Sequence, residues 1–339
     1  MSMKALAASD RFELVGACDL KPDICAELET LFPGIRTFSS SQEMLAECPV
    51  EVVCVSTFPS SHLPVAREAI ASGLKGILVE KPLGDTYAAG VEVIRSVREA
   101  GLPMVVPHGL HVLKHSKEIL ERVHGGEIGE LEFVEIEFGR WDIINAGIHF
   151  FNFFVLLTQN EPVESVMAIC DRSTRTYRDG MQVETEAVTY VQTQSGVRMV
   201  GNCGDDIKVI GHNEPATTQF RIIGNKGTIR FWGWRSAFHI QNASHPNGRR
   251  VEVEPYPESG HQLHLENLAR MIESGDADFA GAESSLTTLE ICDAAYKSSR
   301  FGCRVDFPLE NFEFREDNGW LPGEPWRVEL GGRDGRQLD

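Results

Sequence analysis

Several things are missing from this sequence. It has no run of lysine or arginine: 32 basic residues stand against 50 acidic ones, for a net charge of −18. Nucleic acids and anionic membrane surfaces recruit clustered cations, so the charge argues against both as partners. None of its eight cysteines (Cys18, Cys25, Cys48, Cys54, Cys170, Cys203, Cys292 and Cys303) forms a C-x-x-C pair. A zinc site needs tighter Cys/His spacing, so no metal is expected, and buried free thiols in a reducing compartment are. The most apolar run, 148–157, contains Asn152 and falls well short of the about 20 residues that span a bilayer. No charged segment followed by an apolar core marks a secretory signal. The expectation is a soluble cytoplasmic protein.

What is present suits a globular chain with two cores: 339 residues, 42% apolar and 8% aromatic. The first hundred residues alternate. Strand-like runs at 12–20, 51–56, 76–79 and 104–106 are separated by helical patterns at 22–32, 61–72 and 86–100. Such alternation predicts right-handed crossovers and a doubly wound parallel sheet. After His108 a helix at 116–123 leads to strand patterns at 130–138, 163–170, 184–192, 197–202, 219–223 and 227–232. Turn signals at 194–196 and 224–227 read as hairpins. This second half predicts a large, open, mostly antiparallel sheet, followed by helices at 261–274 and 282–299. The expected division is a Rossmann-like domain over 1–107, an α+β domain over 108–316 and a tail rich in Gly, Pro and charge over 317–339.

Glu80-Lys81-Pro82 follows the buried strand 76–79, which places a lysine and a glutamate at the mouth of a parallel sheet. An ammonium there can hydrogen-bond a reacting hydroxyl or carbonyl oxygen, and partial burial tunes its proton affinity. Asp19 ends the first visible strand. At that place an acid accepts hydrogen bonds from an adenosine ribose and repels a 2′-phosphate, which favours NAD while leaving NADP open. Ser56-Thr57-Phe58-Pro59 leave the second strand at its carboxyl end, where open α/β sheets place ligands. In the segment after Trp141, the residues Asp142, Asn145, His149 and Asn152 are spaced 3, 4 and 3 apart. On an α-helix they share one face within an arc of about 80°. A ligand or internal hydrogen bonds could each satisfy that stripe.

The layout and local motifs resemble the Gfo/Idh/MocA family of sugar and polyol oxidoreductases. The motifs are Val15-Gly16-Ala17-Cys18-Asp19, Ser56 to His62, Glu80-Lys81-Pro82-Leu83, Gly126-Glu127-Ile128-Gly129, Asn145-Ala146-Gly147-Ile148-His149 and Gly224-Asn225-Lys226-Gly227-Thr228, with the late helix before Gly302. The resemblance covers residues 3 to about 307. It implies NAD-dependent hydride transfer to or from a secondary alcohol of a sugar, polyol or glycoside. It also implies a substrate domain that assembles homo-dimers or homo-tetramers through its sheet. Asp19, Ser56, Thr57, Phe58, Pro59, His62, Glu80, Lys81 and His108 would face the cofactor. Trp141, Asp142, Asn145, His149 and Asn152 would face the substrate, with Lys81, His149 and Asn145 as the catalytic set. Loops at 177–182 and 205–214 would set specificity.

Two departures follow. The family pattern has Asp-x-x-x-His, whereas position 145 is Asn. An amide orients a hydroxyl but exchanges no proton, which leaves His149 and Lys81 as the proton-handling pair and predicts that Asn145→Asp keeps or raises activity. Second, family members begin with a strand and a Gly-x-Gly-x-x-Gly turn, whereas Lys4-Ala5-Leu6 matches the helix after that turn. The central strand slot then stands as a gap, closes by direct pairing, or is filled by 327–330, and binding of NAD is expected to be weak or absent without a restored turn. The alternatives to a dehydrogenase are a non-catalytic member without cofactor and an NAD-dependent glycosidase of the same fold.

Overall fold

The computed structural model describes residues 1–140, 142–171, 173, 176–209 and 217–313. The chain opens in α1 (Ser2–Ala8) and then alternates through β1 (Gly16–Cys18), α2 (Pro22–Leu31), β2 (Arg36–Phe38), α3 (Ser41–Glu47), β3 (Val52–Val55), α4 (His62–Ala71), β4 (Gly76–Val79), α5 (Tyr87–Glu99) and β5 (Met104–Val105). Every ladder here is parallel: β1 with β2, and β3 with β4 with β5. β4 is buried at all four positions, the signature of a strand covered on both faces. Helix starts follow local chemistry. Pro22 opens α2, and the side chains of Ser40 and Thr86 accept from Glu43 N–H and Ala89 N–H at the heads of α3 and α5.

β1 and β3 belong to separate sheets, so direct pairing across the expected slot does not occur. Residues 327–330 lie outside the described residues. α1 packs its Ala5 with Leu78 of β4 and Val105 of β5.

The second half runs α6 (Gly109–Val112), α7 (Lys114–His124), β6 (Leu131–Gly139), a π-helical turn (Ile143–Gly147), α8 (Ile148–Leu157), β7 (Val163–Cys170), β8 (Thr176–Arg178), β9 (Met181–Val183), β10 (Glu186–Thr193), β11 (Arg198–Gly204), β12 (Thr218–Gly224), β13 (Gly227–Phe231), β14 (Ala237–Asn242), β15 (His245–Glu252), α9 (Gly260–Ser274), α10 (Ala280–Phe301) and β16 (Val305–Asp306). Nine strands form one sheet in the order β15-β14-β13-β12-β6-β11-β10-β7-β16. Its ladders are antiparallel except β6 with β11. The fold is α/β, a Rossmann-like parallel arrangement joined to a large mixed sheet.

α8 presses Phe151, Phe153 and Phe154 into the core with Phe220 and Phe231 of the sheet, and all five are fully buried. Such rings contribute about 2 kcal/mol or more each on burial. α9 returns to the first half: Leu265, Leu268 and Met271 pack with Leu78 and Val105. A Cβ added at Gly76 would lie 2.8 Å from Ile272 Cδ1, so the last turns of α9 press against the start of β4. The first turn of α9 then lies beside the carboxyl end of β4, where His261 meets Glu80 at 2.7 Å.

Candidate active site

Lys81 leaves the mouth of β4 and reaches the π-helical turn, where its Nζ donates to the backbone oxygen of Asn145 at 2.7 Å. An ammonium has three N–H groups, so two remain without a partner among the described residues. Burial lowers the Lys81 pKa, opposed by the charges of Glu80, Asp179 and Asp142. His149, at the second position of α8, forms no hydrogen bond among the described residues, and its Nδ1 is buried and unpaired. Burial, then the Lys81 charge, holds it well below the ordinary histidine pKa, so it is neutral through the neutral range.

Two rings wall His149 in. His108 meets it edge-on at 5.3 Å and Trp234 at 5.6 Å. His108 is fully buried, with Nε2 on Ser285 Oγ at 2.8 Å and Nδ1 unpaired. Burial, then the neighbouring His149, keeps it neutral as well. Trp234 lies over Gly109; a Cβ there would stand 2.4 Å from its ring, so only glycine admits the indole at that place.

The stripe read from the spacing does not stay together. It assumed one continuous α-helix, but residues 143–147 are wound as a π-turn and α8 begins at Ile148. Asp142 caps that turn instead of facing a ligand. Its Oδ1 accepts from Ile144 N, Asn145 N and Asn145 Nδ2 at 3.1, 2.7 and 3.0 Å, and its Oδ2 accepts from Arg178 at 2.7 Å. Asn145 therefore contributes its backbone oxygen to Lys81 while its side chain serves the cap. Asn152 points to α10, where its Nδ2 donates to Ser284 and Thr288 at 3.2 Å each. Gly147 lets the turn pass close: a Cβ there would meet Phe138 at 2.8 Å. Trp141 lies outside the described residues.

On the other side of the mouth, Ser56, Thr57 and Phe58 are exposed on the loop after β3, and Phe58 retains 57% of its surface. His62 braces this loop from behind, its two ring nitrogens against Pro82 O and Thr57 O at 2.9 Å each, and burial lowers its pKa. Gly180, at the tip of the β8–β9 hairpin, comes against the Phe58 ring. Asp19 accepts from Lys21 N–H at 2.9 Å through one oxygen, which leaves the other for a hydroxyl.

For a dinucleotide the residues at both ends fit: Asp19 for a ribose diol, and the loop 56–59 with Glu80 and His108 around a nicotinamide. The middle differs. There Ser2 of α1 stands 3.2 Å from Ser56 Oγ, and no glycine-rich turn is among the described residues between β1 and β3.

Residues 1–108 match the Gfo/Idh/MocA profile, described as an oxidoreductase family with an NAD-binding Rossmann fold. Over this stretch the chain is similar to the Gfo/Idh/MocA oxidoreductase family. Among curated relatives, an uncharacterised oxidoreductase of Schizosaccharomyces pombe is 24% identical over 42% of this chain and 38% of its own length. The rhizopine catabolism protein MocA of Rhizobium meliloti is 22% identical over 55% of this chain and 61% of its own. The chain thus spans less than two thirds of either relative. Among solved structures, the aldose-aldose oxidoreductase of Caulobacter crescentus, complexed with glycerol, superposes with a TM-score of 0.76 at 20% identity, covering 91% of this chain and 95% of that one. The WlbA dehydrogenase of Bordetella pertussis, in complex with NADH and UDP-GlcNAcA, gives 0.72 at 23% identity, covering 91% and 94%. These likenesses show that the second half of the chain shares its fold with those structures as well.

Four residues at this site were not singled out by the sequence, although Arg178 lies within the 177–182 loop expected to set specificity. Glu184 accepts from Ile143 N–H and from Tyr296 O–H at 2.7 Å each, and burial raises its pKa. Arg178 ends the short strand β8 and Trp234 sits on the turn after β13, places that no periodicity reveals. His261 reaches Glu80 from α9, more than 180 residues away in sequence, and only the tertiary return of α9 brings it there. No group of three or more His, Cys, Asp or Glu that could hold a metal is found among the described residues, and no helix there is long and apolar enough to cross a membrane.

Proposed function

We propose that this chain is an NAD-dependent dehydrogenase acting on a secondary alcohol of a sugar, polyol or glycoside, with the division of labour at residues 107 and 108. The carrying observation is that, among the described residues, Lys81 has two N–H groups to spare and the neighbouring His149 has no hydrogen-bond partner. When bound, the nicotinamide supplies a hydride acceptor or donor. Everything else is work for this chain. Lys81 donates to the reacting oxygen, and its position on Asn145 O fixes the direction of the remaining N–H groups. His149, kept neutral by burial and by Lys81, takes the hydroxyl proton at its unprotonated nitrogen. Trp234 and His108 exclude water from that exchange. Asp19 favours NAD over NADP through repulsion of a 2′-phosphate.

The aldose-aldose oxidoreductase is by its name an enzyme of sugars, and the WlbA dehydrogenase was solved with UDP-GlcNAcA, which supports the substrate class proposed here. The test is titration of the purified chain with NADH and NADPH, followed by a screen of sugars and polyols for nicotinamide reduction. Cofactor-dependent turnover supports the reading, and failure of every polyol with a bound cofactor refutes the substrate class. The separate sheets of β1 and β3 favour a second reading, a member that keeps the fold and does not bind NAD, and absence of binding in the titration selects it.

The outer face of the nine-stranded sheet carries Met167, Ile169 and Val188, which are 50%, 79% and 48% exposed, with Ile169 paired to Val188 across the ladder. We assign this patch to self-association as a dimer or tetramer. Light scattering should report a multiple of 37.6 kDa, and Ile169→Lys should reduce it to the monomer.

A further inference from the structure

Glu80 and Lys81 are consecutive residues at a strand end, and their side chains leave in opposite directions, as successive side chains of an extended chain do. Lys81 goes to the π-turn. Glu80 goes to α9, where its Oε1 receives His261 Nε2 at 2.7 Å and, at longer range, Ser2 Oγ at 3.4 Å. The backbone of Glu80 is fixed as well, since its N–H donates to Val55 O at 2.9 Å.

His261 is equally well held. It is the second residue of α9, whose N-cap Ser259 accepts from Gln262 N–H, and the next turns of the helix are buried through Leu265 and Leu268. The Glu80–His261 pair is mostly shielded, each side chain retaining 17% of its surface. It therefore ties a rigid helix to the residue that precedes Lys81.

Glu80 is the foremost of the charges that support the Lys81 ammonium against burial, ahead of Asp179 on the hairpin and Asp142 at the π-turn. Burial raises Glu80's own pKa, but the hydrogen bond and charge of His261 and the charge of Lys81 outweigh it and hold Glu80 below the usual carboxylate range. Whatever takes the Glu80 carboxylate on one side lessens what reaches Lys81 on the other.

We propose that His261 is a positioning residue for Lys81: it holds Glu80 on the α9 side, aims the strand end that carries Lys81, and limits the negative charge that Lys81 feels. The proposal rests on the reading of Lys81 as the proton-handling lysine, and it supplies a tuning element to a site whose position 145 carries no acid. The groups facing this pair are His264 on α9, His149 on α8, His62 on α4, Cys54 on β3, Ser2 on α1, and Asp179 and Asp142 beyond Lys81. Of these, Asp142 and Asp179 act on Lys81 through their charge. The substitutions below leave them untouched.

The experiment is an NMR titration of Lys81 in the full chain labelled with 13C at lysine Cε, run on wild type, His261→Ala, His261→Gln and Glu80→Gln. Removing His261 leaves the carboxylate undivided, so the Lys81 midpoint should rise by about one pH unit. Glu80→Gln removes the supporting charge and should lower the midpoint by a similar amount. His261→Gln retains an N–H donor and should bring the midpoint back most of the way. Where turnover is measurable, His261→Ala should reduce kcat on the order of tenfold with the KM for alcohol little changed, and shift the Lys81 limb of the pH–rate profile upward in step with the NMR midpoint. An unchanged Lys81 midpoint in His261→Ala overturns the proposal, as does failure of Glu80→Gln to lower it. Should His261→Ala fail to fold, the opposed signs expected for Glu80→Gln and for residual shifts in His261→Gln decide the matter. Because the midpoint needs no turnover, a chain that never transfers hydride would refute the proposed function and leave this result standing or fallen on its own.

Discussion

Two buried polar clusters lie at opposite ends of the segment from Asp142 to His149, and they are built on opposite rules. At the Asp142 end every acceptor is engaged: Oδ1 takes three N–H groups, Oδ2 takes Arg178, and Glu184 beside it takes Ile143 N–H and Tyr296 O–H. At the His149 end the groups are left open. His149 and His108 each bury an unpaired Nδ1, and Lys81 spends one of its three N–H groups on a backbone oxygen. An unsatisfied buried polar group costs about 1–3 kcal/mol, so a fold retains such a group where something other than stability requires it. The engaged cluster shapes the π-turn; the open cluster is where, in the function proposed above, a ligand would complete the hydrogen bonding.

That contrast predicts which end controls which observable. His149→Ala should lower turnover by about 10², the usual scale for a positioned acid or base, with little change in Tm. Rates within a fewfold of wild type would move the proton-handling role elsewhere. Asp142→Ala should do the reverse. It removes a cap, orphans two backbone N–H groups and takes from Arg178 its bond to Oδ2, at a cost of about 2 kcal/mol or more in urea unfolding. A stability equal to wild type would mean the cap is redundant.

Asn145→Asp sharpens the comparison further, because the spacing-based reading and the structure disagree about it. As a substrate-facing amide, Asn145 should accept a carboxylate without loss. In the structure its Nδ2 donates to Asp142 Oδ1 at 3.0 Å, with both residues buried. A second carboxylate there meets a like charge, so its folded pKa lies above its unfolded one. Such a group supports the fold fully below the unfolded carboxylate pKa and loses that support as pH rises through the folded pKa. The variant should be destabilised by about 1–2 kcal/mol at neutral pH and recover toward wild type in acid. Unchanged stability at neutral pH would restore the ligand-facing reading.

Much of this was legible in the sequence. The 76–79 strand, the 163–170 strand and the helix ending at 274 stand where periodicity puts them, because long apolar patterns leave few choices. β2 and α3 escaped notice since each is short, with Phe38 the lone buried residue of β2 and none buried in α3. The β14–β15 hairpin escaped because β15 is largely exposed and polar. Lys81 and His149 were legible as a pair because a strand mouth and a helix face are local patterns. The fates of Asp142 and Asn152 were not. A π-turn replaces 100° per residue with a wider winding, and nothing in the residue types of 143–147 announces it. His261 was invisible for a different reason: its partner lies on another element, and a contact across 181 positions has no spacing to read.

The claim at the centre is that the open cluster, and Lys81 within it, performs the chemistry. The most direct measurement is turnover of Lys81→Ala relative to wild type, at matched folded fraction, with the alcohol that gives the fastest nicotinamide reduction. A fall of about 10² or more, with Tm unchanged, is the expected result. A rate near that of wild type would contradict it.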